Sequence, residues 1–247
     1  MITVNNLTKK FADKVIINNI TFETKAKGIT VVLGKNGSGK SVLLKCIAAL
    51  LPFEGGSIQI SGENVSKDMY YKRIGDKTHS AYVFQRGGLF DSMTVFDNVA
   101  FGMRRRDIGE DSILEKVTLS LKSVGLTGAE NKLPSELSGG MQKRVGLARA
   151  LCMNPRVILY DDPTAGLDPI LTDSIADLVL DIRDKDSVTS IVVTHDLKFA
   201  EKIADSVILL YGGMTVFNGR KEDFFSKQDD FARQFIEGDI EGPIDIY

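Results

Sequence analysis

Ile29-Thr30-Val31-Val32-Leu33-Gly34-Lys35-Asn36-Gly37-Ser38-Gly39-Lys40-Ser41 is the stretch on which the reading of this chain turns. Its first five residues are apolar or β-branched, the composition of a strand buried on both faces. The next eight match G-x-x-x-x-G-K-[ST]. At that spacing the glycines let backbone N–H groups curl around phosphate oxygens. Lys40 then reaches the β- and γ-phosphates, Ser41 ligates Mg²⁺, and the following helix adds its dipole. Val42 to Leu51 has helix-like composition and stops at Pro52, so strand, glycine loop and helix come in the order the motif requires.

Working outward, alternation in Ile2–Val4 and Ile16–Phe22 around the turn-prone 12–14 predicts antiparallel strands. Ser57–Ile60 and Ala81–Phe84 read as further short strands. From Val95 to about Ala150 the pattern is helical: Val95, Val99 and Met103, then Ile113, Val117, Leu121 and Val124, closed by Gly125. A third helix begins near Ser138. Strands return at Val157–Tyr160, Ile191–Thr194 and Val207–Leu210, separated by helices over 169–182 and 197–203. Tyr211–Phe217 reads as a hairpin through Gly212–Gly213. The fold class is therefore α/β, with a helical insert over about 86–152 and a tail from 223 to 247.

Composition narrows the function. The 247 residues are 43% hydrophobic and 26% charged, ordinary for a globular chain with a real core. No apolar run reaches the roughly 20 residues of a bilayer span, and MITVNNLTKKF lacks the apolar core of a signal peptide. A soluble, cytosolic chain is expected. Cys46 and Cys152 sit in unrelated apolar contexts and are expected to be buried hydrophobes rather than a disulfide or metal site. Residues 222–247 hold eight acidic and two basic side chains, which leaves the body only mildly positive. That is too little to predict nucleic-acid binding, so no nucleic acid is expected as a partner. Arg104–Arg106 reads equally as a solvated helix end or as a contact with a partner or lipid headgroup.

Two further segments carry chemistry. Val157-Ile158-Leu159-Tyr160-Asp161-Asp162 is an apolar strand ending in two carboxylates, the first placed to hold Mg²⁺ through water. Leu137-Ser138-Gly139-Gly140-Met141 puts a serine and two glycines at a helix start, an anion-binding nest with no lysine of its own. Two phosphate cradles about a hundred residues apart suggest a nucleotide shared between two copies.

These segments resemble the nucleotide-binding subunit of ATP-binding-cassette (ABC) transporters over residues 1–222. The resemblance implies a P-loop cassette with a RecA-like parallel core, an N-terminal antiparallel β-subdomain and the helical insert. It implies ATP and Mg²⁺ as cofactors and ATP hydrolysis as the activity. The P-loop set is Gly34, Lys35, Asn36, Gly37, Ser38, Gly39, Lys40, Ser41 and Val42, with Phe11 stacking on adenine. Ser138, Gly139 and Gly140 are the signature, and Asp168 belongs to the D-loop Ala165–Asp168. Ser41, Gln85 and Asp161 are the implied metal residues, and Asp162, His195, Gln85 and Lys40 the catalytic ones.

The segment from Phe84 to Phe101, Met141, and YDDPTAGLDPI at 160–170 are more narrowly similar to the ATPases of maintenance-of-lipid-asymmetry (Mla) and Mce-type phospholipid transporters. The ABC resemblance implies a head-to-tail dimer on the cytoplasmic face of the inner membrane, peripheral to an integral-membrane permease, and the narrower likeness adds an Mce-type protein to the complex. The insert's start, Arg86 to Arg106, is expected to dock on the permease through Leu89, Phe90, Met93 and Phe96, the equal alternative being that these residues pack the insert's own core, and the tail is expected on a partner surface. Two departures stand out: Asp162 occupies the position of the usual catalytic Glu, and Phe11 that of the commoner Tyr. Competing readings are a cassette for another cargo, a soluble ABC protein acting on DNA or ribosomes, and a P-loop kinase or GTPase. The last leaves LSGGM, Gln85 and His195 without a role.

Overall fold

The structure, a computed structural model, describes residues 1–65, 80–106 and 108–245. An antiparallel sheet in the order β2-β1-β4-β5 covers one side of the P-loop helix. Its strands are β1 (Ile2–Phe11), β2 (Lys14–Glu23), β4 (Gly55–Ile60) and β5 (Glu63–Asn64). The second sheet has the order β10-β9-β3-β8-β7-β6. β3 (Ile29–Leu33), β6 (Ser80–Val83), β7 (Val157–Asp161), β8 (Thr189–Val193) and β9 (Ser206–Tyr211) run parallel, and β10 (Met214–Arg220) closes the edge antiparallel. β3, β7 and β8 are buried along their whole length, which is why they read as unbroken apolar runs.

The P-loop helix α1 (Lys40–Ile47) is shorter than the 42–51 expected from composition. Ala49 takes a left-handed φ of 52°, and the Leu50 N–H turns back onto the Lys45 carbonyl at 2.8 Å. This is a Schellman closure with alanine where glycine is usual, so no residue type announced it.

Between β6 and β7 lie α2 (Val95–Arg104), α3 (Glu110–Ser123) and α4 (Gly139–Leu151). Thr94 and Ser138 cap α2 and α4 through their hydroxyls, and Gly125, at φ 70°, follows α3 as its pattern predicts. Arg104 ends α2 paired with Asp97 (2.8 Å) and Glu110 (3.1 Å), the solvated-end reading of that arginine. α5 (Pro169–Asp186) runs four residues past its expected end, and α6 (Leu197–Ile203) matches.

The parallel sheet divides the core in two. On one face Val32, Leu43, Ile47 and Val193 pack with Ile2, Ile17 and Ile58 of the antiparallel sheet. On the other, Val31, Val99, Val117, Val145, Tyr160 and Phe199 join the sheet to the helices. Each such buried aliphatic side chain contributes about 1.5–3 kcal/mol, and together they hold β3 and β7 rigid at the ends from which the site is built.

The tail places its apolar residues largely within the chain. Phe224 of α7 (Lys221–Phe225) is fully buried and meets Phe217 of β10 edge-on, ring centroids 5.1 Å apart. Beyond it, α8 (Asp230–Glu237) buries Ala232 and Gln234. Gln234 clasps the last turn: Ile244 N–H donates to its Oε1 at 2.6 Å, and its Nε2 donates to the Ile244 carbonyl at 3.0 Å. These residues thus pack first on the chain's own sheet, over the end formed by β9 and β10, where Phe225, Phe231 and Phe235 join the core that holds Phe224. Residues 246 and 247 of the tail lie outside the described residues. Among the described residues no helix is long and apolar enough to cross a membrane.

Candidate nucleotide site

β3 delivers the P-loop at its carboxyl end. A Cβ on Gly34 would stand 2.5 Å from the Leu210 carbonyl oxygen and 2.6 Å from Ser38 Oγ, so only glycine lets the loop pass. Gly39, at φ 100°, caps α1 where a Cβ would come 2.8 Å from Ile17 Cδ1. Lys40 Nζ donates to the carbonyls of Gly34 (2.7 Å) and Lys35 (2.9 Å), holding the loop closed on itself. Burial lowers its pKa, opposed by the charges of Asp162 and Asp161. Ser38 Oγ is buried with no partner among the described residues, an orphaned donor in a cradle shaped for an anion.

The two carboxylates at the end of β7 are held differently. Asp161, only 6% exposed, accepts from Ser41 Oγ on Oδ1 (2.6 Å) and from the Tyr82 phenol on Oδ2 (2.7 Å). The next residue turns into the left-handed region, Asp162 φ 46°, with its N–H on the Val193 carbonyl at 2.9 Å. That turn points its carboxylate at the strand end of β8. Thr194 Oγ1 donates to Oδ1 at 3.2 Å, and His195 Nδ1 lies 3.1 Å from Oδ2. Ser41 and Asp161 are hard oxygen donors that fit Mg²⁺.

Asn36, Gly37, Lys40, Ser41, Gln85 and Asp162 line one open cleft of about 270 Å³, which Gly39 and Val42 also edge. Not every candidate joins them. Lys35 turns its side chain to the tail, donating to the Asp245 carbonyl at 3.0 Å beside the ring of Tyr211. Phe11 stands 46% exposed at the end of β1, one side of its ring taken by Lys9 Nζ at 4.9 Å from the centroid. Ser138, Gly139 and Gly140 do not line the cleft. Ser138 accepts from Met141 N–H, and Gly139 has open space around it. Asp168 caps α5, accepting from the N–H groups of Ile170 and Leu171.

Comparison with known proteins agrees with this geometry. The ABC transporter family pattern matches residues 17–165. The chain belongs to the ABC transporter family. The cassette is 36% identical over 245 residues to an intermembrane phospholipid transport system ATP-binding protein, MlaF, of Haemophilus influenzae, covering 99% of this chain and 93% of that one. It is 39% identical to a Mycobacterium bovis protein named a probable ribonucleotide transport ATP-binding protein, Mkl, covering 98% and 68%. The solved dimeric post-hydrolysis cassette MJ0796, bound to ADP and Pi, superposes with a TM-score of 0.80 at 27% identity, covering 90% of this chain and 99% of that one. Like its family, the cassette binds and hydrolyses ATP.

Several residues of the cassette that sequence reading passed over support this site. Tyr82 and Thr194 each supply one donor to a carboxylate, from strands whose register sets them beside β7. Asn98 is fully buried and pins the loop before α2. Its Nδ2 donates to the carbonyls of Phe90, Met93 and Thr94, and its Oδ1 accepts from Phe90 N–H. The turn after Gln85 is locked to α4, because a Cβ on Gly146 would stand 2.9 Å from the Gly87 carbonyl oxygen. Arg149 clamps that contact, donating to the carbonyls of Gly88 (2.7 Å) and Gly87 (2.9 Å). Behind Asp162, Lys143 of α4 buries its ammonium without a hydrogen-bond partner among the described residues; burial lowers its pKa and the Asp162 charge opposes the shift. Paired Asn–backbone contacts in a loop are the only one of these with a local sequence signal, the Thr94 cap followed by a polar residue on the apolar face of α2.

Proposed function

We propose that this cassette is the ATPase subunit of a transporter moving phospholipid between inner and outer membranes. In this reading residues 1–222 form the nucleotide-binding unit, with the insert over about 86–152. It works as a head-to-tail pair on the cytoplasmic face of the inner membrane, peripheral to an integral-membrane permease and with an Mce-type protein in the assembly. The observation that carries the pairing is the make-up of the cleft: it is lined without Ser138, Gly139 or Gly140, of which Ser138 and Gly139 stand exposed elsewhere. A second copy can bring them to it. Phospholipid as cargo rests on the match to MlaF across nearly the whole of both chains. The relative named for ribonucleotide transport supports a second reading, the same machine with another cargo.

In the mechanism, Lys40 exchanges its two carbonyl partners for the β- and γ-phosphates, whose negative charge is the better acceptor. The open face of Phe11 takes the adenine ring. Ser41, Asp161 and Gln85 would hold Mg²⁺, which neutralises phosphate charge. Asp162 orients the attacking water and accepts its proton, while Thr194 and His195 fix the carboxylate. His195, whose ring is exposed, takes the γ-phosphate in this reading. Asp168 stays with its helix as a cap beside the dimer seam. Exposed Phe90, on the loop pinned by Asn98, forms the permease-facing surface.

Mixing Lys40→Ala with Ser138→Arg subunits tests the pairing. Mixed pairs keep one intact composite site, so ATPase activity should exceed the sum of the two variants alone; activity no greater than that sum takes away the support for sharing, or shows two sites so strictly coupled that one dead site silences both. For the cargo, cassette co-purified with its permease and reconstituted in liposomes should move labelled phospholipid only with ATP. Lipid left in place while ATP is consumed would favour the other cargo.

A further inference from the structure

The magnesium carboxylate has a partner that the cassette motifs do not name. Tyr82 sits at the carboxyl end of edge strand β6, paired in register with Leu159 of β7. Its phenol reaches across the sheet end to Asp161 Oδ2 at 2.7 Å, opposite the 2.6 Å contact of Ser41 with Oδ1. Three elements, α1, β6 and β7, thus converge on one buried carboxylate. The torsion that turns a carboxylate plane is soft and roughly two-fold. One donor leaves that plane free to rock, whereas two donors from opposite sides hold it. The Tyr82 ring is itself held, tilted on Phe84 at 4.6 Å between centroids.

We propose that Tyr82 is a positioning residue for the magnesium site, fixing the Asp161 carboxylate so that Oδ1, the oxygen met by Ser41, faces the P-loop. The proposal rests on the reading of Ser41 and Asp161 as the magnesium residues. It deepens that reading by adding a residue that touches neither metal nor nucleotide. Tyr82 orients a metal-binding carboxylate as outer partners of ligating residues do, and loss of such a partner typically costs about 10–100-fold in metal affinity.

The experiment measures ADP binding to the full chain by calorimetry, in chelator and across a Mg²⁺ titration, for the parent and for Tyr82→Phe. The variant keeps the ring and its contact with Phe84 and removes only the hydroxyl. ADP affinity in chelator should stay within about twofold of the parent, while the Mg²⁺ concentration giving half of the metal-dependent gain rises about tenfold. Because Tyr82 acts through Asp161, adding Tyr82→Phe to Asp161→Asn should change the Mg²⁺ curve little beyond Asp161→Asn alone. An unchanged Mg²⁺ curve in Tyr82→Phe overturns the proposal. So does a fall in chelator affinity together with melting temperature, which marks a packing role, or full additivity with Asp161→Asn. A parent chain whose ADP binding ignores Mg²⁺ sinks the magnesium reading itself, a result told apart because it appears before any substitution.

Discussion

Replacing Asp162 by Asn isolates charge from shape. The backbone there lies at φ 46°, a region in which Asn is as well tolerated as Asp, so the loop has no reason to move. The amide oxygen can still accept from Thr194 at the 3.2 Å position, and the amide nitrogen can face His195 Nδ1 at the 3.1 Å position. What disappears is the negative charge and the capacity to take a proton. A positioned base contributes about 10²–10⁴-fold, or about 3–5 kcal/mol of barrier. Steady-state phosphate release by Asp162→Asn should therefore fall at least about a hundredfold, while calorimetry shows ATP still bound and gel filtration shows the ATP-bound pair accumulating. Asp162→Glu tests the fit from the other side. Both oxygens of Asp162 already meet partners, so an extra methylene carries the carboxylate about 1.5 Å past them. Turnover should drop about ten- to a hundredfold, the scale expected for a misplacement near 1 Å. Phosphate release by Asp162→Asn within about threefold of the parent would refute the assignment and move the base to His195.

Other expectations follow from single contacts. Lys40→Ala should melt near the parent temperature, since the ammonium bridges only two loop carbonyls, yet lose ATPase activity; a folded variant with most of its turnover would remove Lys40 from the mechanism. Gly146→Ala meets backbone at 2.9 Å that cannot step aside, and urea unfolding should show a loss of about 1–3 kcal/mol, against less than about 0.5 for Gly109→Ala, where space is open. Asn98→Ala strands Phe90 N–H and the Met93 carbonyl, while the Phe90 and Thr94 carbonyls keep the N–H groups of Met93 (3.1 Å) and residue 98 (2.9 Å); it should cost about 2 kcal/mol, with protease cutting that loop first, and equal cutting rates would show the pin to be dispensable. Burial pushes the Cys46 thiol up to about 12, so native protein at pH 8 should resist iodoacetamide at Cys46 until denaturant is added.

Much of this site is legible in the sequence because its parts are contiguous. Gly34 to Ser41 carries its spacing in one run, Asp161 and Asp162 end one strand, and Ser138 caps one helix. What eluded the sequence is held together by sheet register and not by neighbourhood. Tyr82 and Asp161 are 79 positions apart, and Thr194 and Asp162 are 32 apart; each pair meets because parallel strands set it side by side. A tyrosine in a short apolar strand looks like packing until the adjacent strand is known. Gly87 and Gly146 likewise read as loop and helix glycines, since a close approach leaves no mark except the absence of a Cβ. The tail misled for the opposite reason. Its phenylalanines stand among acids, as they would on a free docking arm, and only the packing of Phe224 on Phe217 and the β9 core residues shows where it goes.

The bare contact between Gly87 and Gly146 makes α4 a pointer. With no side chain between the two backbones there is no rotamer to absorb a push, and Arg149 keeps the surfaces from parting. Ser138 lies eight residues from Gly146, about 12 Å along a helix that rises about 1.5 Å per residue. A tilt of about 5° at the contact therefore swings the tip holding Ser138 through about 1 Å, a displacement on the scale that separates a productive from an unproductive alignment. The swing for a given tilt is fixed by the length of this arm, and so by where the glycine lies. Set one turn closer, at position 142, the same contact would leave an arm of about 6 Å and halve the swing.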